Sequence, residues 1–516
     1  MRILLLRPPR YLWPFNSETS AFWQPLGLLC LAAAVRRDLP NAHVEVWDAP
    51  AAKMGWKTLA QRLAQTHLDV LGLGEETVSA HEALRAARLV KHLHPRCLVV
   101  AGGPYFAHAL PESLADPAID VIVRGEGEIT LVELLRHLHD RSRWPEILGL
   151  AFRDDAGQLI RTPPRPLIDD LDSLPLPAWD LIDMTLYGRG ARNHPDLASI
   201  EHSRGCIDSC NFCILWKHMG QSLNGNGRVA PRWRTKSPQR AFAEVHRLYH
   251  RYHRRTFGWV DPTFNVSPEW SDNWAELLLR SDLVSPQGPK TIHTAWLRAD
   301  GVVRDEKHGV LAKLVRTGLR QVMIGIERDD EAGLATLGKH DNSWDLCRQA
   351  FAIFREKYPH VYTIGTLIFG LPADRLADLK RLLDCEYRLG ADYCFLMPFT
   401  PNPGATLADA ARSAGLIRNH RLASYNFHTP VCRTHSLSLR DLESIYWRIM
   451  FHPSPARLAR TVRNLFTHPD SRKRRVHWAL FQRGAGIALR SLARRLLHPL
   501  SQLPTLYSRR PSWYDH

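Results

Sequence analysis

Short apolar runs alternate with helical stretches along most of the chain, and this alternation limits the folds that the chain can adopt. In residues 1–145 each apolar run ends in Gly, Pro or Asp. The runs are MRILLLRPP, HVEVWDAP, LDVLGLG, CLVVAGG and IDVIVRGEGE. Helical patterns such as PLGLLCLAAAVRRDL and AHEALRAARLVKHLHP lie between them. Strands that alternate with helices predict an α/β unit with a doubly wound, Rossmann-like parallel sheet.

Glycines follow several of these predicted strands. A doubly wound sheet binds ligands at the carboxyl ends of its strands, and glycine lets a backbone approach a ligand closely. The candidate binding residues are Gly72, Gly74, Gly102, Gly103, Gly125, Glu126 and Gly127. Glycine also serves ordinary turns, so the residues alone leave both interpretations open.

A second series of strands follows a segment rich in Pro and Asp, which we interpret as a linker over residues 146–195. Its runs are ASIEHSRG, TFGWVDPTF, TIHTAWLRAD, LRQVMIGIE, VYTIGTLIFGLP and ADYCFLMPFTP. With helices between them, they predict a partial (β/α) TIM barrel over residues 196–417. Strand signals then fade, and residues 418–516 are predicted to be helical and basic.

Bulk properties place the chain in a cellular setting. A length of 516 residues suits two or three domains. The first apolar run stops at Pro8 and Pro9, which is unlike a secretory signal, and no run reaches the roughly 18 apolar residues of a membrane span. The nine cysteines are an odd number, which argues against a disulfide framework. We therefore expect a cytoplasmic protein.

Three of the cysteines lie within the stretch RGCIDSCNFCILW, directly after the first predicted barrel strand. Cys206, Cys210 and Cys213 have the spacing C-x3-C-x2-C and can bind one iron–sulfur cluster from a single loop. Clusters normally take four cysteine ligands, so one iron would stay open for a substrate or cofactor. The alternatives are a zinc site and three packing cysteines. Zinc sites usually add a second distant ligand pair, which this loop lacks.

Two further barrel residues carry reactive or charged groups. Arg298 follows the third predicted strand and suits bidentate recognition of a carboxylate, although a structural ion pair explains it equally well. Cys394 lies in the last predicted strand beside Tyr393, and strand alternation turns one of the two toward the barrel interior. A thiol there could donate hydrogen to a radical, whereas a buried cysteine is usually inert. Cys394 is our single candidate catalytic residue.

The positive charge is concentrated at the end of the chain. Residues 455–516 contain thirteen Lys and Arg and two Asp, which is +11 of the formal +16. Apolar side chains recur among these arginines at near-helical spacing. They are Trp478, Phe481, Leu489, Leu492, Leu496 and Leu497. This pattern predicts a basic amphipathic helix that docks on the barrel, contacts an anionic membrane surface or binds an acidic electron donor. The rest of the chain is only mildly basic, so nucleic acid is not an expected partner.

The cysteine loop and the segments after it resemble the radical S-adenosylmethionine superfamily. The signature C-x3-C-x2-C appears with an aromatic residue, Phe212, before the last cysteine. WVDPTF, GIERDDEAGLATLGK, IFGLPAD and FTPNPGATL resemble later motifs of the family in order. The resemblance implies a [4Fe-4S] cluster on the three cysteines. It also implies contacts to S-adenosylmethionine from Phe212, Asp261, Glu327, Gly370 and Pro372, to which we add Arg298.

Residues 1–145 resemble the cobalamin-binding domain of one large subclass of that superfamily. The segments that carry the likeness are PLGLLCLAAAV, VVAGGPYFAHAL and VIVRGEGE. The resemblance implies cobalamin at the glycine-rich strand ends. The Asp-x-His-x-x-Gly segment that supplies a cobalt ligand in other cobalamin proteins is absent, so no cobalt ligand can be named. A sheet domain that has lost cobalamin is the alternative.

Within the subclass, the Trp216-Lys217 pair and YNFHTPVCRTHSLSLRDL resemble the branch that contains anaerobic magnesium-protoporphyrin monomethyl ester cyclase and radical methylases. This resemblance implies a 5′-deoxyadenosyl radical that abstracts hydrogen from the substrate. It predicts a methyltransferase acting on an unactivated carbon or phosphorus centre, with an oxidative cyclase or rearrangement enzyme as the alternative. A non-catalytic cobalamin or redox sensor and an RNA-modifying methylthiotransferase are the rivals from other classes.

The same resemblance predicts the partners of the protein. We expect a small-molecule substrate, hydrophobic or similar to a lipid or tetrapyrrole, and an external one-electron donor of the flavodoxin or ferredoxin type. Membrane contact through the basic end of the chain would make the protein peripheral to the inner face of the membrane.

Overall fold

Two sheets organise the computed structural model, which describes residues 1–10, 23–188, 196–223, 228–451, 455–468, 470–497 and 511–516. The first sheet has seven strands in the order β2-β1-β3-β4-β5-β6-β7. They are β1 (Arg2–Arg7), β2 (His43–Asp48), β3 (Val70–Gly74), β4 (Leu98–Gly102), β5 (Val121–Val123), β6 (Leu150–Arg153) and β7 (Leu159–Arg161).

The first five strands pair in parallel, as the alternating pattern predicts. Strands β6 and β7 add to the sheet in antiparallel orientation. Both lie inside residues 146–195, which we interpreted as a linker. That segment is therefore partly a continuation of the first sheet, and only its later part, with three short 3-10 turns between Leu171 and Leu186, connects the two units.

The second sheet has six parallel strands in the order β13-β12-β11-β10-β9-β8, which is an open, partial barrel. Its strands are β8 (Leu197–Ile200), β9 (Thr256–Trp259), β10 (Ile292–Leu297), β11 (Leu319–Glu327), β12 (Tyr362–Phe369) and β13 (Tyr393–Pro398). Strands β9 to β13 lie within predicted runs, and β8 begins one residue before its run. Short antiparallel pairs join Ser203–Arg204 to Arg234–Thr235, Gln221–Leu223 to Arg228–Ala230 and Val284–Ser285 to Gly288–Pro289.

Helices connect the strands and form the end of the chain. Those of the first sheet are α1 (Leu26–Asp38), α2 (Ala49–Ala52), α3 (Trp56–Ala64), α4 (Ala80–Leu93), α5 (Gly103–His108), α6 (Leu110–Leu114) and α7 (Gly127–Arg136). Those of the barrel are α8 (Leu215–His218), α9 (Pro238–Tyr252), α10 (Pro268–Leu279), α11 (Ala299–Lys307), α12 (Val310–Arg316), α13 (Glu331–Leu337), α14 (Trp344–Lys357), α15 (Leu376–Leu382), α16 (Cys385–Leu389) and α17 (Thr406–Ser413). Three more follow, α18 (Leu439–Phe451), α19 (Pro455–Thr467) and α20 (Ser471–Leu497).

The two units share one hydrophobic core. Leu29 and Ala32 of α1 belong to the same buried cluster as Ala198 and Ile200 of β8. Gln24 extends this contact, because its side-chain amide donates to the carbonyl of Leu197 (2.7 Å) and accepts from the backbone N–H of Ser199 (2.7 Å). The barrel's edge strand is thus covered by the first domain.

The last residues return to the first sheet. Trp513 and Tyr514 are buried among the residues that cover one of its faces. The backbone N–H of Trp56 donates to the carbonyl of Tyr514 (3.0 Å), and the hydroxyl of Tyr514 lies 3.1 Å from a carboxylate oxygen of Glu82. Residues 418–516 are helical as predicted from α18 to α20, and this return is an addition that the sequence pattern did not indicate.

Candidate active site

The three cysteines lie in the loop that follows β8, at the carboxyl end of the barrel. Cys206, Cys210 and Cys213 are free thiols. The backbone N–H of Asn211 donates to Leu337 (2.8 Å) and its carbonyl accepts from Leu407 (2.9 Å). The loop is thereby fastened to the end of α13 and the start of α17.

The chemistry of this donor set fits a cluster better than a single metal ion. In the part of the chain that the structure describes, the three thiols are not close enough together to share one metal ion. An iron–sulfur cube places each thiolate on a different iron, so its ligands need not converge on one point. Burial raises the pKa of Cys210 to about 12 and that of Cys213 to about 11, so binding to iron would be needed to hold them as thiolates.

Trp216 and Lys217, the pair that follows the cysteines, hold the cysteine loop in place through hydrogen bonds. The indole N–H of Trp216 donates to the carbonyl of Cys210 (2.9 Å). The ammonium of Lys217 donates to the carbonyl of Gly404 (2.9 Å) and lies 3.0 Å from the hydroxyl of Thr406. Two segments that sequence resemblance named separately, the cluster loop and the FTPNPGATL turn, are therefore joined by one side chain.

A polar cleft opens beside the cysteine loop. It is lined by Ile207, Asp208, Ser209, Arg298, Ala299, Asp300, Gly325, Gly338, Lys339, His340, Asp341 and Asn342. Arg298 forms ion pairs with Asp208 of the cysteine loop and with Asp300 (2.9 Å). Two carboxylates already face this guanidinium, so an incoming carboxylate would have to replace one of them.

Glu327 ends β11, and its buried side chain lies beside Gly325 and Lys339, two residues that line the cleft. Burial raises the pKa of this carboxyl above its usual value, and the ammonium of Lys339 lies 3.8 Å away. A Cβ on Gly325 would come within 2.6 Å of a Glu327 oxygen, so glycine there leaves room for the carboxylate. Glu327 has a φ of 62°, in the left-handed region, and such strain often marks a functional position. In the sequence, Lys339 was recognised only as part of the GIERDDEAGLATLGK motif, and its contact with Glu327 was not predicted.

Asp261 faces the protein interior. Its Oδ1 accepts from the backbone N–H groups of His202 (3.0 Å) and Ser203 (2.6 Å), and the His202 ring lies 2.8 Å away. Burial alone would raise the pKa of Asp261, but His202 and the Ser203 hydrogen bonds outweigh it and lower the pKa. We expected this residue to contact S-adenosylmethionine. The structure instead makes it an anchor for the strand that leads into the cysteine loop.

The IFGLPAD segment forms a turn closed by its own aspartate. A carboxylate oxygen of Asp374 accepts from the backbone N–H of Gly370 (2.8 Å) and of Leu371 (3.0 Å), and it pairs with buried Arg328 (3.0 Å). Gly370 has a φ of 77°, which favours glycine. The backbone carbonyl of Pro372 accepts from His435 (2.9 Å), so the turn is also tied to the post-barrel segment.

Phe212 and Cys394 do not line the cleft. Phe212 packs against an apolar cluster that includes Leu337 and Phe399. Cys394 pairs in register with Gly365, where an added Cβ would meet the Cys394 sulfur and Phe351 of α14. The thiol therefore faces the outer helices, and the candidate catalytic role of Cys394 is not supported.

The glycine-rich strand ends of the first sheet divide into two groups. A Cβ on Gly72 would lie 2.5 Å from a methyl of Leu5, and one on Gly127 would lie 2.8 Å from a methyl of Leu31. These two glycines serve packing. A Cβ on Gly74 or Gly102 would meet its nearest neighbour at 3.9 or 3.5 Å.

The remaining two glycines need a positive φ. Gly103 has a φ of 81° beside Glu75, and Gly125 has a φ of 75° with nothing within 4 Å of an added Cβ. Together with Gly74 and Gly102 they leave a small-residue edge that a flat macrocycle such as a corrin can approach. The fit to cobalamin therefore rests on backbone and space, with no named ligand to cobalt.

Glu126 joins the two domains. Its carboxylate pairs with Arg204 (3.0 Å), which directly precedes the cysteine loop, and with Arg234 (2.8 Å). It also accepts from the backbone N–H of Ile168 (2.8 Å). Burial alone would raise the pKa of Glu126, but the two guanidinium groups outweigh it and hold the pKa below its usual value. We assign Glu126 to this interdomain ion pair, in place of the predicted contact to cobalamin.

Two histidines that sequence analysis did not single out meet at the same interface. His108 ends α5 of the first domain, His218 ends α8 behind the cysteine loop, and their ring centres are 5.6 Å apart. Burial lowers the pKa of His108 to about 3 and that of His218 to about 4, so both are neutral at pH 7. Nothing in their sequence spacing links residues 110 positions apart.

Comparison with known proteins agrees with this arrangement. Two family models match, the B12 binding domain over residues 14–135 and the Radical SAM superfamily over residues 200–384. An uncharacterized methyltransferase of Pyrococcus horikoshii is 26% identical over 474 residues, which span 91% of this chain and 95% of that protein. The anaerobic magnesium-protoporphyrin IX monomethyl ester cyclase of Synechocystis is 25% identical over 475 residues, 88% of this chain and 89% of the cyclase.

A solved structure shows the same architecture throughout. The radical S-adenosylmethionine methyltransferase TsrM from Kitasatospora setae, with cobalamin and a [4Fe-4S] cluster bound, superposes with a TM-score of 0.68 at 15% identity. The match covers 94% of this chain and 99% of that one, which shows a common fold. The two family models match one chain in this order, the first over β2 to β5 of the first sheet and the second over β9 to β12 of the barrel. This chain therefore carries a B12-binding domain followed by a radical S-adenosylmethionine domain.

Proposed function

We propose that this protein is a cobalamin-dependent radical S-adenosylmethionine methyltransferase that acts on an unactivated carbon or phosphorus centre of a small molecule. One observation carries the proposal: the small-residue edge of the first sheet and the cysteine loop are held together by Arg204 and Glu126. A cofactor at that edge and a cluster on that loop would share the mouth of one barrel. Most of the matched relatives and structures named above are called methyltransferases, which supports the choice of reaction.

The residues of the cleft suit the three cofactors. Cys206, Cys210 and Cys213 would hold the cluster, and Glu327 with Arg298 would bind the amino and carboxylate groups of S-adenosylmethionine. When bound, the cluster and S-adenosylmethionine supply a 5′-deoxyadenosyl radical, and cobalamin supplies a methyl group. The chain contributes orientation and the exclusion of water and stray hydrogen donors.

Product analysis tests the proposal. Protein purified without oxygen and loaded with iron, sulfide and methylcobalamin would be given S-adenosylmethionine and dithionite, and the products followed by mass spectrometry. A methyltransferase forms 5′-deoxyadenosine and S-adenosylhomocysteine in comparable amounts. 5′-Deoxyadenosine alone would favour the cyclase or rearrangement alternative, for which the cyclase relative is the supporting observation. Neither product, with the cluster intact, would point to a sensor or to a strict need for substrate.

We also propose that an acidic one-electron donor of the flavodoxin or ferredoxin type reduces the cluster. The formal net charge of +16 favours an acidic partner. Reduction by a purified flavodoxin system should then weaken with increasing salt, whereas reduction by dithionite should not.

The C-terminal helix α20 supports contact with an anionic membrane surface. Its first turns dock on the barrel: Lys473 pairs with Asp392 (2.7 Å), and the His477 ring lies 5.6 Å from that of Tyr362. This docking was one of the three predicted roles. No described helix could cross a membrane.

A separate apolar stripe of α20 faces solvent. Its members are three or four residues apart, except for one interval of eight, and this spacing places them on one face of the helix. They are Trp478, Phe481, Leu489, Leu492 and Leu496, with exposures of 37, 45, 69, 47 and 74%. The helix carries eight Lys and Arg and no acidic residue. An exposed apolar stripe on a cationic helix is typical of proteins that lie on anionic lipid, so we propose a cytoplasmic protein that binds the inner membrane face.

Vesicle binding tests this location. The full chain should sediment with vesicles of phosphatidylglycerol and phosphatidylcholine, and far less with phosphatidylcholine alone. A variant with Leu489, Leu492 and Leu496 changed to Gln should bind at least about tenfold more weakly. Leu376→Gln, at an exposed leucine outside α20, is the matched control. Equal binding by both variants would contradict the proposal.

A further inference from the structure

Two histidines and an aspartate meet on the outer surface of the barrel, away from the cysteine loop. His246 and His250 lie one turn apart near the end of α9, and Asp282 follows α10. The end of α9 leads into β9, so this cluster lies near the amino ends of the barrel strands. The candidate active site lies at their carboxyl ends.

The side chains converge on one point. The Nε2 atom of His250 is 3.0 Å from one carboxylate oxygen of Asp282, and that of His246 is 3.4 Å from the other. The potential ligand atoms of all three residues lie within 4.8 Å of one another. Ligands at the usual zinc bond length of about 2.0–2.1 Å stand roughly 3.3 Å apart in a tetrahedron, so little movement is needed.

Neighbouring aromatic rings restrict both imidazoles. The Phe242 ring centre is 5.6 Å from that of His246, and the Tyr249 ring centre is 5.0 Å from that of His250. The two imidazole centres are 4.3 Å apart. Side chains that packing already holds in place lose less entropy when they bind a ligand.

Charge favours a cation at this point. In the part of the chain that the structure describes, the ion pairs of Asp282 are with these two histidines and with neither Lys nor Arg. Two imidazoles and one carboxylate are a donor set that suits Zn²⁺ and similar divalent ions.

We propose that His246, His250 and Asp282 bind one divalent transition-metal ion, with Zn²⁺ as the fitting ion, and leave at least one coordination position for water or another ligand. The site would link the end of α9 to the turn after α10. All three side chains are between 44 and 50% exposed, so the ion can enter from solvent. This proposal is independent of the proposed methyl transfer.

Zinc titration of the cluster-loaded protein tests the site. Loading the cluster first occupies the three cysteines, so that Zn²⁺ cannot bind there. Calorimetry should show one equivalent of Zn²⁺ bound, together with a rise in the melting temperature. His246→Ala and His250→Ala should each weaken the binding at least about tenfold. His253→Asn, at an exposed histidine just past the same helix, should leave it unchanged.

Cluster content and circular dichroism show whether each variant is folded. Unchanged zinc affinity in a folded His246→Ala, His250→Ala double variant would overturn the proposal, as would an equal loss in His253→Asn. Asp282→Asn is a further independent test of the site, since it keeps the side-chain shape and removes the charge. It should weaken Zn²⁺ binding without changing cluster content.

Discussion

The cysteine loop and the glycine edge of the first sheet are the two halves of one candidate site, and they are built in different ways. The loop depends on what its side chains are, three thiols at fixed spacing fastened by Asn211 and Lys217. The edge depends on the absence of side chains at Gly74 and Gly102. A thiolate set has few alternative uses, whereas glycine has many. The cysteine loop can therefore be recognised from the sequence, whereas the role of each glycine is clear only from the structure.

Removing the three thiols should have the largest effect. It should abolish cluster binding without affecting cobalamin binding. A variant with Cys206, Cys210 and Cys213 changed to Ala should lose the cluster and all 5′-deoxyadenosine formation, because the iron ligands are gone. It should still bind cobalamin. Iron content, absorbance and product analysis measure this.

Cys394→Ala is the matched control for the thiol variant. Since that thiol faces α14, the change should cost only about 1–2 kcal/mol of stability and leave the cluster and turnover in place. A loss of turnover with Cys394→Ala, in a folded protein that retains its cluster, would restore that residue as a catalytic candidate.

Adding a side chain at the glycine edge should have the opposite effect: it should weaken cobalamin binding and leave the cluster in place. Gly102→Val places a side chain at the strand end with its nearest neighbour at 3.5 Å, so it should weaken cobalamin binding at least about tenfold and keep the cluster. Gly72→Val, where a Leu5 methyl would lie 2.5 Å away, should instead lower stability by about 1–3 kcal/mol. Cobalamin titration and thermal unfolding separate the two. If both variants behave alike, the division of the glycines is wrong.

A smaller effect is expected at the cleft. Glu327→Gln removes the buried charge that would face the S-adenosylmethionine amine, so affinity should fall roughly tenfold, or about 1.4 kcal/mol. Equilibrium binding to the cluster-loaded protein measures it. Glu331→Gln, at an exposed position of α13, should change nothing. Similar affinities for both variants would remove Glu327 from the binding site.

The last prediction concerns the pH dependence of stability and a carboxyl group of the first domain. Burial raises the pKa of Glu82 to about 8 from an ordinary value of 4.5. The folded state thus holds a proton that the unfolded state releases, so this contribution to stability is full below pH 4.5 and is lost as pH rises through about 8. The linkage predicts a loss of roughly 2–3 kcal/mol between pH 6 and pH 8.

Glu82→Gln should flatten that pH dependence, since the amide cannot ionise. Thermal unfolding of both proteins from pH 5 to pH 9 tests this. Parallel curves would mean that Glu82 does not titrate in this range.

The sequence predicted the regular parts of the fold well. Five of the six barrel strands lie inside their predicted runs and Leu197–Ile200 begins one residue before its run, because buried parallel strands are continuous apolar segments. Strands β6 and β7 were missed since they are short and lie directly before a segment rich in Pro and Asp. Their pairing depends on β5, which is distant in sequence.

The contacts that assemble the site were harder to predict. Glu126 looked like a ligand-binding residue because it lies between glycines at a strand end. Its partner Arg204 is 78 positions away, and no local pattern reports such a pair. Asp261 was assigned to the cofactor because WVDPTF resembles a family motif, and its hydrogen bonds to His202 and Ser203 show that a motif residue can act by holding the backbone. The spacing of the residues indicated which chemical groups the site contains, but not the direction in which each side chain points.

The shared core of α1 and β8 bears on how this protein can be dissected. Leu29, Ala32, Ala198 and Ile200 lie in one buried cluster, and Gln24 covers the barrel's edge strand. A fragment that ends at residue 195 would expose the apolar face of α1, and a fragment that begins there would expose a bare strand edge. We expect neither half to stay monomeric when produced alone. The two cofactor modules are better regarded as a single folding unit than as interchangeable parts.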